Sequence, residues 1–341
     1  MNNKLKNFKK LIFSGFAFLA IILNLTFVIN TRMQNGINTS NSQSLQVVLA
    51  AGNQGNITVE ENDHFKKYVI NCNKEIEKLQ WEDNKDYIDI HLKKDEIKNI
   101  NLIGDKKVQN EDLNYSSTND SFILRIKKKL KQNNFVSIDK NNKENINILI
   151  SKEDKPFTHS VIIDAGHGGI DKGANYGNIY EKNINFKIAN YAAQELQFMG
   201  IKVLLTREVD KLLSLKEIGE ITNSSSADIF VSVHVNENKE SKYKGVTSYY
   251  YNPNGFQTEE RIKLAKTLQS ELVKSDNWDN RGIIRQNFAV LRYSKIPSVL
   301  LECGFISNTE DRNKLTQDMV LRNFGDNIAK GVIKYFQENN N

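Results

Sequence analysis

The stretch Ser160-Val161-Ile162-Ile163-Asp164-Ala165-Gly166-His167-Gly168-Gly169 sets an apolar run against a polar, glycine-rich end. Val161-Ile162-Ile163 is continuous and β-branched, as a strand buried on both faces requires. Gly166, Gly168 and Gly169 let the backbone turn sharply just past that strand and leave His167 at its carboxyl rim. Downstream, apolar strands alternate with helical stripes. The pattern predicts strands at Lys202–Leu205, Ile229–Val233, Gly245–Tyr250, Phe288–Leu291 and Ser298–Leu301. It predicts helices at about 181–199, 215–223, 259–274 and 319–336. In the first of these, Ile184, Ile188, Tyr191, Ala192 and Leu196 share one stripe, and Gly200 stops it. Such alternation predicts an α/β domain with a mostly parallel sheet flanked by helices, over residues 158–338.

Open α/β sheets build their sites at the carboxyl ends of strands. The strand ending at Val233 delivers His234 and then Asn236, and Glu181 opens the first helix at the same rim. Two imidazoles and a carboxylate form a ligand set of catalytic zinc, with a fourth position open to water. Glu302 follows the strand that ends at Leu301 and faces the same opening. A carboxylate beside metal-bound water serves as proton shuttle. Taken singly, each residue has a plain structural role open to it. Glu181 would complement a helix dipole, Glu302 an ion pair, and a strand-end histidine a hydrogen bond. Their convergence on one rim favours chemistry. Asn236 and Arg292 are weaker candidates for holding substrate, and Asp164 for orienting a histidine.

The rest of the chain constrains the setting. The 341 residues allow more than one domain, and a net charge of +6 is too mild for a nucleic-acid binder. Two cysteines, Cys72 and Cys303, exclude a disulfide framework and a cysteine-rich zinc site. Lys4, Lys6, Lys9 and Lys10 precede an uncharged apolar run from Leu11 to about Ile29. That predicts a membrane anchor or signal segment over 1–30, with the remainder extracytoplasmic, anchored to the membrane or secreted. Residues 31–56 read as a polar linker. Residues 57–155 alternate with period two, as in Tyr87–Leu92, Phe122–Ile126 and Asn145–Ile150, which predicts a small all-β domain. The lysines at 127, 128, 129 and 131 read as a solvated guard on an edge strand.

Several ordered motifs resemble the amidase-3 family of N-acetylmuramoyl-L-alanine amidases. They are Ile163–Gly169, Asp171–Ala174, Glu181-Lys182-Asn183, Thr206-Arg207, Ser232–Asn236, Arg281-Gly282 and Leu301–Asn308, within a span of about 160–336. The resemblance implies one zinc ion (Zn2+) held by His167, Glu181 and His234, with Glu302 as catalytic carboxylate. It implies peptidoglycan as substrate, cleaved between muramic acid and L-alanine. The family often carries Arg in a Leu-x-x-Arg pattern after the second strand. Here Leu215-Lys216-Glu217 is followed by Ile218. Short connections leave no room for an inhibitory helix, so the site is expected to be open, and an activator protein stays an open alternative. The β domain is similar in pattern to wall-targeting modules. A zinc peptidase acting on stem peptides and a wall-binding protein without activity are the rival readings.

Overall fold

The computed structural model describes residues 57–97, 102–103 and 112–339. The expected anchor or signal segment and the linker lie outside the described residues. Among the described residues no helix is long and apolar enough to cross a membrane.

The amino-terminal part is all-β. One sheet orders β1 (Ile57–Glu61), β2 (Phe65–Asn71), β5 (Leu102–Ile103), β8 (Phe135–Ile138) and β9 (Asn145–Ser151) as β5-β1-β2-β9-β8. A second orders β3 (Gln80–Asp83), β4 (Tyr87–Lys93), β6 (Leu113–Ser117) and β7 (Ser121–Lys127) as β3-β4-β7-β6. Their inner rows make one core. Tyr68 and Ile70 of β2 and Ile146, Ile148 and Ile150 of β9 meet Ile88, Ile90 and Leu92 of β4 and Leu124 and Ile126 of β7. The period-two pattern is therefore real and marks a sandwich. The lysine run does not guard an edge: β7 pairs with β4 and β6 on its two sides, and Lys128 is buried against Asp83.

The carboxy-terminal part is built on a six-stranded mixed sheet. Its strands are β10 (His159–Ala165), β13 (Ile201–Leu205), β14 (Ile229–Asn236), β15 (Val246–Tyr250), β16 (Asn280–Arg285) and β17 (Ser298–Phe305). The order is β13-β10-β14-β17-β15-β16, and β15 runs antiparallel to β17. A small hairpin, β11 (Asn175–Tyr176) with β12 (Ile179–Tyr180), precedes helix α1 (Glu181–Phe198). The remaining helices are α2 (Leu215–Ser224), α3 (Thr258–Leu272), α4 (Ala289–Tyr293), α5 (Thr309–Leu315) and α6 (Asp318–Asn339). Alternate strand residues serve opposite faces. Val161, Ile163, Val231, Val233, Val299 and Leu301 pack with α1, α3 and α6. Ile162, Phe230 and Leu300 pack with Ile218 of α2 and Val290 and Leu291 of α4.

Two elements depart from expectation. Residues 288–291 do not form a strand: Phe288 is extended and α4 begins at Ala289, turning Val290 and Leu291 into the α2-side core. A four-residue apolar run carries too little periodicity to separate helix from strand. β16 is a largely exposed edge strand interrupted by Gly282, with Ile283 packed on the core, so it lacks the continuous apolar signature of a buried one.

The β sandwich and the α/β domain share an apolar seam. Phe65 and Leu149, on the outer face of the first sheet, pack against Phe198 at the end of α1, with Phe135 and Phe157 beside them. Asn62 Nδ2 donates to the Phe198 carbonyl at 2.8 Å, and Asn141 Nδ2 to the Lys187 carbonyl at 3.0 Å. Helix α1 thus carries Glu181 at one end and the seam at the other. Phe198→Ala is expected to lower unfolding free energy by about 3 kcal/mol, the usual toll of a buried phenylalanine truncation. Urea unfolding measures it, and a loss under about 0.5 kcal/mol would mean that the seam contributes no packing.

Candidate metal centre

His167 leaves β10 on a loop locked by paired backbone bonds between Gly168 and Asp171. Its φ of 63° is left-handed, a conformation that a non-glycine residue holds only where its surroundings over-determine it. Those surroundings are visible. Arg207 is buried and donates through Nε to the Ala165 carbonyl at 2.9 Å and through Nη2 to the Lys182 carbonyl at 2.9 Å. One guanidinium therefore ties the end of β10 to the first turn of α1. Asp171 Oδ2 lies 2.8 Å from His167 Nδ1, which fixes the ring and presents Nε2 inward.

Glu181 is the first residue of α1 and is 4 % exposed. Its Oε2 lies 3.2 Å from His167 Nε2 and its Oε1 2.9 Å from His234 Nδ1. The carboxylate also accepts from the backbone N–H groups of Ala174 (2.7 Å) and Val235 (3.0 Å) and from Asn185 Nδ2 (3.2 Å). Burial opposes its charge, yet the hydrogen bonds and charges of the two histidines hold it well below the usual carboxylate range. Burial likewise opposes a charge on His167, but Glu181 and then Asp171 outweigh that and raise it to about 9. His234 is raised against its burial by Glu181.

Ligand atoms from His167, Glu181 and His234 all lie within 4.8 Å of one another. Two half-buried imidazoles and a buried carboxylate suit a four-coordinate divalent ion. A cation among them would take the inward nitrogens and reverse the upward shift of both imidazoles. The donor set therefore fits zinc.

Glu302 is the register partner of His234 on the neighbouring strand, so both side chains emerge on one face of the sheet. The residue is half-buried, and its Oε2 is sealed from solvent with no hydrogen-bond partner. Burial pushes it up to about 8, with the Glu181 charge adding to the rise and the histidines opposing it.

The weaker candidates fare differently. Asp164 does not orient a histidine: its two oxygens accept from Thr206 Oγ1 and Ser232 Oγ, each at 2.6 Å, cross-linking three strand ends. Asp171 holds the histidine instead. Its place four residues after His167 was the signal available for it. Asn236 ends β14 at the rim, and its Oδ1 accepts from the Glu237 N–H at 2.8 Å. Arg292, exposed on α4, donates to Asn287 Oδ1 at 2.7 Å. No contact brings it to the histidine–glutamate cluster.

A mixed α/β sheet that gathers two histidines and a glutamate at its carboxyl rim, beside a second glutamate, has the donor set that a metal-dependent hydrolase requires. More narrowly, residues 161–334 match the N-acetylmuramoyl-L-alanine amidase family model, and the chain belongs to that family of cell wall hydrolases. The chain is similar to N-acetylmuramoyl-L-alanine amidase LytC of Bacillus subtilis (strain 168), at 34% identity over 178 residues. That alignment covers 52% of this chain and 36% of LytC. Among solved structures, the N-acetylmuramoyl-L-alanine amidase from Clostridium difficile 630 is 36% identical with a TM-score of 0.50, covering 52% of this chain and 97% of that one. The CwlD amidase from Clostridioides difficile, solved in complex with the GerS lipoprotein, is 33% identical with a TM-score of 0.50. The match covers 53% of this chain and all of that one (100%).

Proposed function

We propose that this chain cleaves the amide between N-acetylmuramic acid and L-alanine of peptidoglycan with one zinc ion, held by His167, Glu181 and His234, and with Glu302 as general base and then general acid. The observation that carries the reading is the meeting of those three ligand residues within 4.8 Å, with Glu302 in register beside His234. A zinc ion bound there supplies an acidified water and a Lewis acid for the developing oxyanion. The chain's own groups do the rest. Asp171 fixes the His167 ring. The backbone amides of Ala174 and Val235 aim the Glu181 carboxylate. Glu302 accepts the proton of the attacking water and returns it to the departing L-alanine nitrogen. Burial raises the pKa of its carboxyl and so strengthens it as a base. In this reading Asn236, at the rim, holds substrate ahead of Arg292, which makes no contact with the cluster.

The setting follows from the same reading. An amidase of this substrate acts outside the cytoplasmic membrane, which agrees with the basic and apolar start of the sequence. Residues 57–155 form the accessory domain and 158–338 the catalytic one. CwlD was solved with a lipoprotein, so a protein partner for this chain is part of the proposal.

Digestion of purified peptidoglycan followed by mass spectrometry of the products tests the scissile bond. Free lactyl ends on muramic acid and stem peptides beginning at L-alanine are expected. Shortened stems on intact muramic acid would show a peptidase instead. A chelator is expected to abolish release and added zinc to restore it, because the ligands are side chains with no covalent alternative. Binding to the wall without release, unchanged by the chelator, would leave a wall-binding protein.

A further inference from the structure

Glu302 has register partners on both sides. His234 of β14 is one, and Thr247 of β15 is the other. Residues paired across a sheet point to the same face, with Cβ atoms about 5 Å apart. The row His234–Glu302–Thr247 therefore crosses the floor of the site. Thr247 is fully buried at 0% exposure, and its hydroxyl has no hydrogen-bond partner. Glu302 Oε2 is likewise sealed and without one. A lone buried donor and a lone buried acceptor thus stand on neighbouring residues of one row. Buried polar groups are rarely left unmet, and a pair left so at a site calls for an explanation.

We propose that Thr247 is the positioning residue for Glu302, its hydroxyl donating to Oε2 directly or through one bound water. A hydroxyl has one proton to give and can accept besides. Tyr249, two residues along β15 and on the same face, brings its phenol near Thr247 without completing a hydrogen bond in this structure. The donated bond holds the inner oxygen of Glu302 and leaves the other edge for the reacting water. The inference rests on Glu302 acting as the base.

The test is Thr247→Val, which removes the hydroxyl and keeps the shape. A hydrogen bond to a charged group is lost, so kcat is expected to fall on the order of 10- to 100-fold. KM should stay within about twofold and zinc content unchanged, as expected when an interaction made only in the transition state is removed. The melting temperature should fall by no more than a few degrees, because one hydrogen bond is lost while shape and packing are kept. Thr247→Ser should recover most of the rate, and Tyr249→Phe should cost little. In a Glu302→Gln background, Thr247→Val should cause no further loss. Wild-type kcat in Thr247→Val, with Glu302→Gln inactive, overturns the positioning role alone. A loss of rate that comes with lost zinc, or that Thr247→Ser does not recover, assigns Thr247 to packing and overturns it too. Full activity in Glu302→Gln instead removes the base on which the inference stands.

Discussion

Glu302→Gln will lower kcat for release of stem peptide by about 10²- to 10⁴-fold, the span that positioned acid–base groups contribute. Glutamine keeps the volume and the β17 register but cannot take a proton. Glu302 donates no ligand atom to the histidine–glutamate cluster, so zinc content should match that of the unaltered chain. KM should move by no more than about threefold, since the removed function operates in the transition state. Stability should not suffer. The wild-type carboxylate has one oxygen sealed without a partner, and burial pushes its pKa up to about 8. A neutral amide removes the cost of holding charge there. Steady-state kinetics on defined muropeptides, with zinc measured on the same preparation, decides the matter. A variant that kept more than about half of kcat with full zinc would assign proton transfer to another group and take Glu302 out of the mechanism.

The parts of this site that the sequence discloses are those tied to strand ends. His167, His234 and Glu302 each follow an apolar run, and a run of β-branched residues announces both the strand and its rim. Glu181 is legible because the helix it opens has a clear stripe. Groups that act across long separations are not. Arg207 lies 42 residues from the Ala165 carbonyl it binds, and no local pattern distinguishes it from a surface arginine. Asp164 precedes His167 and invites a local role, yet its partners are 42 and 68 residues away. Thr247 sits in an ordinary strand pattern, and its interest comes from the register that sets it across from Glu302. The same limit hides the seam between the two domains. Leu149 falls on the face of β9 that alternation assigns to solvent, and Phe198 covers it. Alternation reports one buried face well but does not reveal a second neighbour that arrives from elsewhere in the chain.

Gly166→Ala will empty the metal centre while leaving the fold nearly intact. Gly166 has no unusual backbone angle among those recorded for this chain, so alanine meets no conformational barrier there. The difficulty is space. A Cβ at this position would lie 2.2 Å from His234 Cε1 and 2.3 Å from Nε2, far inside contact distance. The loop cannot retreat, because the Gly166 N–H donates to the Val233 carbonyl at 3.0 Å and its own carbonyl accepts from Asn185 Nδ2 at 3.2 Å. The imidazole must swing instead, and it then leaves Glu181. Changes to groups that merely orient a ligand weaken metal affinity by about 10- to 100-fold, so displacing a ligand should exceed about 100-fold. Activity should follow metal content. Gly177→Ala is the control. Its φ of 59° is left-handed, but an added Cβ would meet nothing within 4 Å. It should lose about 1 kcal/mol of stability through backbone strain alone and keep its zinc. Metal analysis after dialysis, with thermal unfolding of both variants, separates collision from strain. If Gly166→Ala retains one zinc per chain with unaltered affinity, His234 is not seated against this loop, and the centre described above is misassembled.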